Sequence, residues 1–130
     1  MQYALQDMMQ DLVGIVRNES DMQRALEGLG PLRERANRVG VGGHREYNPG
    51  WHAALDLLNL LTVSEAITRS AIERRESRGG HFREDYPVKD ANFGTFNLIV
   101  RKGQDGRMEV SRAPIPEMPD ELKRIIEEME

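Results

Sequence analysis

The densest run of chemistry-bearing side chains lies between Arg69 and Asp85. Arg69, Glu73 and Glu76 stand four and three residues apart. On a helix that spacing makes surface ion pairs worth a few tenths of a kcal/mol. Beyond them, Arg78, His81 and Arg83 straddle the Gly79-Gly80 pair. Two glycines let a backbone approach another surface closely. Arginine can grip a carboxylate or phosphate through two parallel hydrogen bonds. Residue chemistry therefore leaves two readings open: an edge facing an anion or a neighbouring domain, or an ordinary helix stop with solvated charges.

Other sites suggested by residue type carry less. Gly40-Val41-Gly42-Gly43-His44-Arg45 invites a nucleotide loop, but a dinucleotide fingerprint needs a strand before it, and position 45 is Arg. The stretch reads as an interhelical loop. The three histidines are His44, His52 and His81, and His44 and His52 are too few to close a metal site of three or four ligands. Ser64 and Ser70 have no histidine at a suggestive spacing, so a nucleophile supported by a base is not expected.

These residues must be positioned by helices. Leu5, Met8, Met9, Leu12, Val13 and Val16 share one face of a first helix, expected over about residues 3–17. Ser20 is a plausible N-cap for the second. Met22, Ala25, Leu26, Leu29, Leu32, Ala36 and Val39 continue its apolar face across Gly28, Gly30 and Pro31, which predicts one kinked helix. Its opposite face, with Arg33, Glu34, Arg35 and Arg38, reads as solvated or partner-facing. A Gly-rich loop over 40–50 leads into a third helix from Trp51, apolar on more than one face, ending near Glu76 to Arg78. Residues 96–112 read as a β-hairpin turning at Gly103-Gln104-Asp105-Gly106, and about 120–129 as a short acidic helix. A lone hairpin is marginal in water, so it should pack on something.

The expected fold is mainly α: a three-helix antiparallel bundle, spectrin-repeat-like, over 1–78. An extended tail over 79–130 belongs to the same domain. The chain has 130 residues, enough for one modest core. Hydrophobic residues make up 38%, charged 31% and aromatic only 5%, so that core should be thin. The net charge of -4 argues against a nucleic-acid partner, whose affinity rests on neutralised phosphates. Cysteine is absent, which excludes disulfides and thiolate chemistry. No apolar run reaches the roughly 18–20 residues of a membrane span, and the start lacks a signal-peptide pattern.

Asn59-Leu60-Leu61-Thr62-Val63-Ser64-Glu65-Ala66, followed by Arg74-Arg75-Glu76-Ser77-Arg78-Gly79-Gly80-His81-Phe82-Arg83-Glu84-Asp85-Tyr86-Pro87, resembles the C-terminal domain of succinate dehydrogenase and fumarate reductase flavoprotein subunits. Val13-Gly14-Ile15-Val16-Arg17 in the opening helix and Arg33-Glu34-Arg35-Ala36 in the second fit the same order. The resemblance runs from about residue 4 to 112 and on toward the end. It implies a helical domain packed beside an FAD-binding domain, in a subunit that interconverts succinate and fumarate and passes electrons to an iron–sulfur protein subunit. It also implies a cytoplasmic location, peripheral at the inner face of the membrane in the assembled complex. The family's flavin and substrate residues have no matching positions here. The resemblance therefore implies FAD in the complete subunit, none in this chain, and no catalytic residue among these 130.

The related L-aspartate oxidases share a similar Glu-Ser-Arg-Gly stretch and remain an alternative. A stand-alone helical module that binds a protein partner is another, marked by a reading frame beginning at Met1 with no flavin domain upstream. Within the preferred reading, Arg78, His81 and Arg83 are the expected interdomain contacts. Leu57 and Leu60 are expected to be partly exposed, or covered by self-association.

Overall fold

The computed structural model describes residues 1–129. Helix α1 spans Gln2–Val13, α2 spans Glu19–Ala36, α3 spans Pro49–Glu73 and the short α4 spans Asp120–Glu128. Strand β1 (Val16–Arg17) pairs in parallel with β2 (Phe82–Arg83), and β3 (Phe96–Lys102) pairs antiparallel with β4 (Met108–Pro114). The protein is mainly α with a small hairpin, as its patterning predicts. The short terminal helix lies within the expected span, and Glu130 falls outside the described residues.

Helix directions follow from the contacts. Leu5 packs with Leu29 and Leu32 of α2 and Leu61 of α3, while Met8 meets α2 at Gly28 and the Met9 sulfur lies 3.9 Å from the Thr68 hydroxyl of α3. Along α1 the partners therefore fall in number on α2 and rise on α3. The three helices run up, down and up, with their core along the shared line. Gly28 is a packing residue rather than a break: a Cβ there would lie 2.5 Å from the Met8 sulfur. Helix α2 runs through Pro31, which lies on its exposed side. Arg33, expected on a solvated or partner-facing side, pairs with Glu65 of α3 at 3.0 Å.

Element ends depart from the periodicity where tertiary partners take over. Helix α1 stops at Val13, not near 17, because Gly14 turns the chain into extended backbone. The freed segment joins β2, with Phe82 N donating to Ile15 O (3.3 Å) and Glu84 N to Arg17 O (2.9 Å). Asn18, not Ser20, caps α2 by accepting from Asp21 N at 2.9 Å. Helix α3 starts at Pro49, behind an Asn48 cap, and ends at Glu73 rather than near 76–78. Leu57 is buried (5% exposed), against expectation, at the floor of a recess that Met1, Gln2 and Val39 also line. Leu60, Val63 and Ile67 recur at helical spacing and leave an exposed apolar stripe on α3.

The hairpin packs on the end of α3. Arg112 of β4 donates to Glu73 at 2.9 and 2.7 Å, and its guanidinium lies over Phe96 and the buried Phe93, 4.7 and 5.3 Å from their centroids. Helix α4 buries none of its residues. Among the described residues, no helix is long and apolar enough to cross a membrane.

Candidate functional site

Glu76 is fully buried, which a carboxylate tolerates only when paired and hydrogen-bonded. Its oxygens accept from Arg74 Nη1 (2.5 Å), Arg78 Nε (2.8 Å), Arg78 Nη2 (3.0 Å) and Asp90 N (2.9 Å). The Arg78 guanidinium, more than any other group, holds its pKa down at about 2, against the opposing effect of burial. Helix α3 has to end early to allow this. One further turn of helix would carry Glu76 to the surface, where its spacing from Glu73 and Arg69 would place it. Arg69 pairs instead with Glu65, and Glu73 with Arg112.

Next along the chain, the Ser77 hydroxyl donates to Tyr86 O (2.8 Å) and accepts from Arg83 N (2.8 Å). Arg78 and His81 exchange two backbone hydrogen bonds across a tight turn, in which Gly79 sits at a φ of 59° that side chains disfavour. The turn sends the chain back beside β1.

Arg83 has no exposed surface, and all five of its N–H directions are engaged. Nε and Nη2 donate to the two Asp85 oxygens (2.7 and 2.6 Å), and Nη2 also to Glu19 (2.8 Å). Nη1 donates to Ala71 O (3.0 Å) and Ile72 O (3.2 Å). Those carbonyls belong to the last turn of α3, which has no intrahelical donors for them, and a cation suits that end of the helix dipole. Asp85 in turn accepts from Glu19 N (3.1 Å) at the first turn of α2, and Arg83 holds its pKa down at about 2. One arginine and one aspartate thus tie the end of α3 to the start of α2.

His81 sits between two arginines. Arg17 Nη1 donates to its Nδ1 (2.7 Å), and its Nε2 meets Arg74 O (3.0 Å). A guanidinium can only donate. Nδ1 is therefore the acceptor, Nε2 carries the hydrogen, and the ring is neutral. Burial above all, and then the charges of Arg17, Arg83 and Arg74, push its pKa below the usual histidine value, while the Arg74 carbonyl opposes the shift.

The three residues singled out by sequence do lie together, but they face differently. Arg83 is internal, His81 is half-buried, and Arg78 is partly exposed while engaged with Glu76 and Asp90 O. Sequence reasoning missed Arg17, Glu19 and the inward turn of Glu76. A signal existed for Arg17: Gly14-Ile15-Val16 is poor helix sequence at a helix end, so Arg17 was available to an extended segment.

The remaining suggestions stay apart. His44 is exposed in the loop before α3, and His52 is exposed in the first turn of α3. Ser70 lines a recess with His81, but both His81 nitrogens are occupied, so the ring is not free to act as a base. Among the described residues, no three His, Cys, Asp or Glu side chains converge as a metal site would require. The Gly40–Arg45 stretch joins two helices, so its residues do not fit a flavin dinucleotide cradle, which needs a strand feeding the turn.

Comparison with known proteins places this arrangement. A family model described as fumarate reductase flavoprotein C-term matches residues 2–124. The fumarate reductase flavoprotein subunit of Mycobacterium tuberculosis is 32% identical over 112 residues, covering 85% of this chain and 19% of that protein. The L-aspartate oxidase of Yersinia pestis is 38% identical over 90 residues, covering 69% of this chain and 16% of the oxidase. The solved structure of Mycobacterium smegmatis Sdh1 in complex with UQ1 superposes with a TM-score of 0.79 at 42% identity, covering 95% of this chain and 22% of that one. The chain spans about a fifth of the length of these relatives. With the family model covering nearly the whole chain, the protein belongs to the family of fumarate reductase and succinate dehydrogenase flavoprotein C-terminal domains.

Proposed function

We propose that this chain serves as the helical C-terminal domain of a flavoprotein subunit that interconverts succinate and fumarate, working against an FAD-binding domain of the same subunit. The superposition on the Sdh1 complex at 42% identity over 95% of the chain carries the reading. FAD, held by the flavin domain, supplies the hydride chemistry, and an iron–sulfur protein subunit takes the electrons. This chain contributes no catalytic residue and is expected to be inactive alone. Its contribution is mechanical. The Glu76 and Arg83 networks make the end of α3 rigid, and that rigid end presents Arg78 and His81 to the flavin domain, with Arg83 supporting them from beneath. The exposed stripe of Leu60, Val63 and Ile67 is apolar surface for that domain to cover, and in the isolated chain it favours self-association. The assembled subunit sits in the cytoplasm, peripheral to the inner face of the membrane.

The test is complementation. The chain is co-expressed with the Sdh1 flavoprotein of Mycobacterium smegmatis lacking its matching segment. Co-purification with bound flavin, at a flavin-to-protein ratio that falls when the chain is left out, is the expected result. Two parts that never associate would overturn the reading. The L-aspartate oxidase relative supports a second reading, over a smaller share of the chain. Assay of the full-length gene product with succinate and with aspartate separates the two.

A further inference from the structure

Arg17 differs from the other arginines around the end of α3. Arg74, Arg78, Arg83 and Arg112 each have a carboxylate within 4 Å. Arg17 is half-buried, and among the described residues it has no carboxylate at ion-pair distance. It is nevertheless held in place: Nε donates to Val13 O (3.2 Å) and Nη1 to His81 Nδ1 (2.7 Å). A guanidinium carries five N–H groups. Nη2 is left without a protein partner among the described residues.

That guanidinium lines a recess of about 610 Å³ whose walls also carry Ser70, Asn97 and the apolar Ala66, Ile67 and Leu98. The Ser70 and Asn97 side chains make no hydrogen bond within the described residues, so both remain available to a ligand. Arg74 at the same wall shares the single Glu76 carboxylate with Arg78, and His81 is neutral, so the wall is net positive and Arg17 is its one arginine without a carboxylate among the described residues. A partly desolvated cation with an open N–H edge, between two uncommitted polar side chains and an apolar wall, favours a planar anion that can accept two parallel hydrogen bonds.

We propose that the recess formed by Arg17, His81, Ser70 and Asn97 is a binding site for a carboxylate group. This rests in part on the domain reading above, because an acidic side chain of a covering polypeptide would supply that group. A free small carboxylate would present the same chemistry. The site also acts on His81. Its ring faces Arg17 from β1, Arg74 from the end of α3 and Arg83 from β2, all cationic, so a bound carboxylate, by offsetting those charges, favours its protonation.

The experiment is an NMR titration of the 130-residue chain with sodium acetate, at ionic strength held constant with sodium chloride. We expect the Arg17 Nε–H resonance to shift saturably with acetate and not with chloride, and the His81 pKa to rise at saturation. Arg17→Gln removes the saturable shift. Arg17→Lys, which keeps the charge without the fork, weakens binding at least tenfold. Should both variants fail to fold, Ser70→Glu provides the second test: it places a carboxylate in the recess, so acetate no longer shifts Arg17. Equal affinity for acetate and succinate identifies the site as an acceptor for a protein side chain. Succinate at least tenfold tighter identifies a free dicarboxylate. A response to acetate no larger than to chloride, or one that survives Arg17→Gln, would overturn the proposal. A recess that binds acetate in a chain that never associates with a flavin domain would overturn the domain reading and leave the carboxylate site standing.

Discussion

The segment from Arg74 to Phe93 and the segment from Ile115 to Met129 are both short, highly charged and poor in regular core packing. They are held in opposite ways. In the first, Glu76 and Arg83 are wholly buried, and every buried side-chain polar atom among the described residues has a partner. In the second, α4 has an apolar side formed by Leu122, Ile125 and Ile126, all about half exposed, and its one ion pair among the described residues joins Lys123 to Asp120 within the helix. Charge density alone therefore says little about structure. What matters is whether a charge meets a fixed partner out of water. A buried, fully bonded ion network resists removal of any one member, whereas an exposed pair is worth about 0–1 kcal/mol.

That contrast can be broken experimentally. The largest effect is expected at Arg83. Arg83→Met strips donors from Asp85, Glu19 and two carbonyls of α3, and should lower unfolding stability by about 3–5 kcal/mol. Urea denaturation followed by circular dichroism measures it, and a loss below about 1 kcal/mol would mean the network is ornamental. Glu76→Gln comes next, at about 2–3 kcal/mol, because the amide turns a donor toward a donor. The same titration reads it.

Acid sharpens the contrast without mutation. Glu76 and Asp85 have folded pKa values of about 2, below their ordinary 4.5 and 3.8, so their contribution is complete above those ordinary values. It is lost as pH falls from there through about 2. His81 adds an earlier step. Its folded pKa lies below 6.5, so the unfolded chain binds the proton first and stability starts to fall as pH drops through 6.5. Thermal melts from pH 8 to 3 should show both losses, and His81→Gln should remove the earlier one.

Smaller effects are expected further out. Arg112→Ala removes an exposed ion pair and a cation–aromatic contact, for about 1 kcal/mol. Truncation after Pro116 deletes α4 and should change stability by less than about 0.5 kcal/mol, since nothing buried is lost. A large loss on truncation would show that α4 packs in solution on a surface it does not touch here.

Much of the scaffold was legible in advance. The apolar spacing of Leu5, Met22, Leu29 and Leu61 marked the three helices, and the Gly103–Gly106 turn marked the hairpin. The errors lie where a side chain's partner is distant in sequence. Ser20 is a good capping residue, yet Asn18 caps because β1 pairing fixes where the helix starts. Leu57 and Leu60 look alike in the sequence, yet Leu57 is buried and Leu60 stays partly exposed on α3. Glu76 stands at a good spacing for a surface ion pair, yet it is the most enclosed carboxylate among the described residues.

By itself, the sequence determined the helical periodicities, the glycine bend and the family signature around Glu76–Pro87. Each is a property of neighbours within a few residues or of residue order. Tertiary structure alone decided which charges went inside and which stayed wet. Arg83 reaches Glu19 across 64 positions, and Arg17 reaches His81 across the same number. Contacts that distant depend on how the helices pack, and helix packing is settled by the apolar core, which carries no record of the charges it brings together.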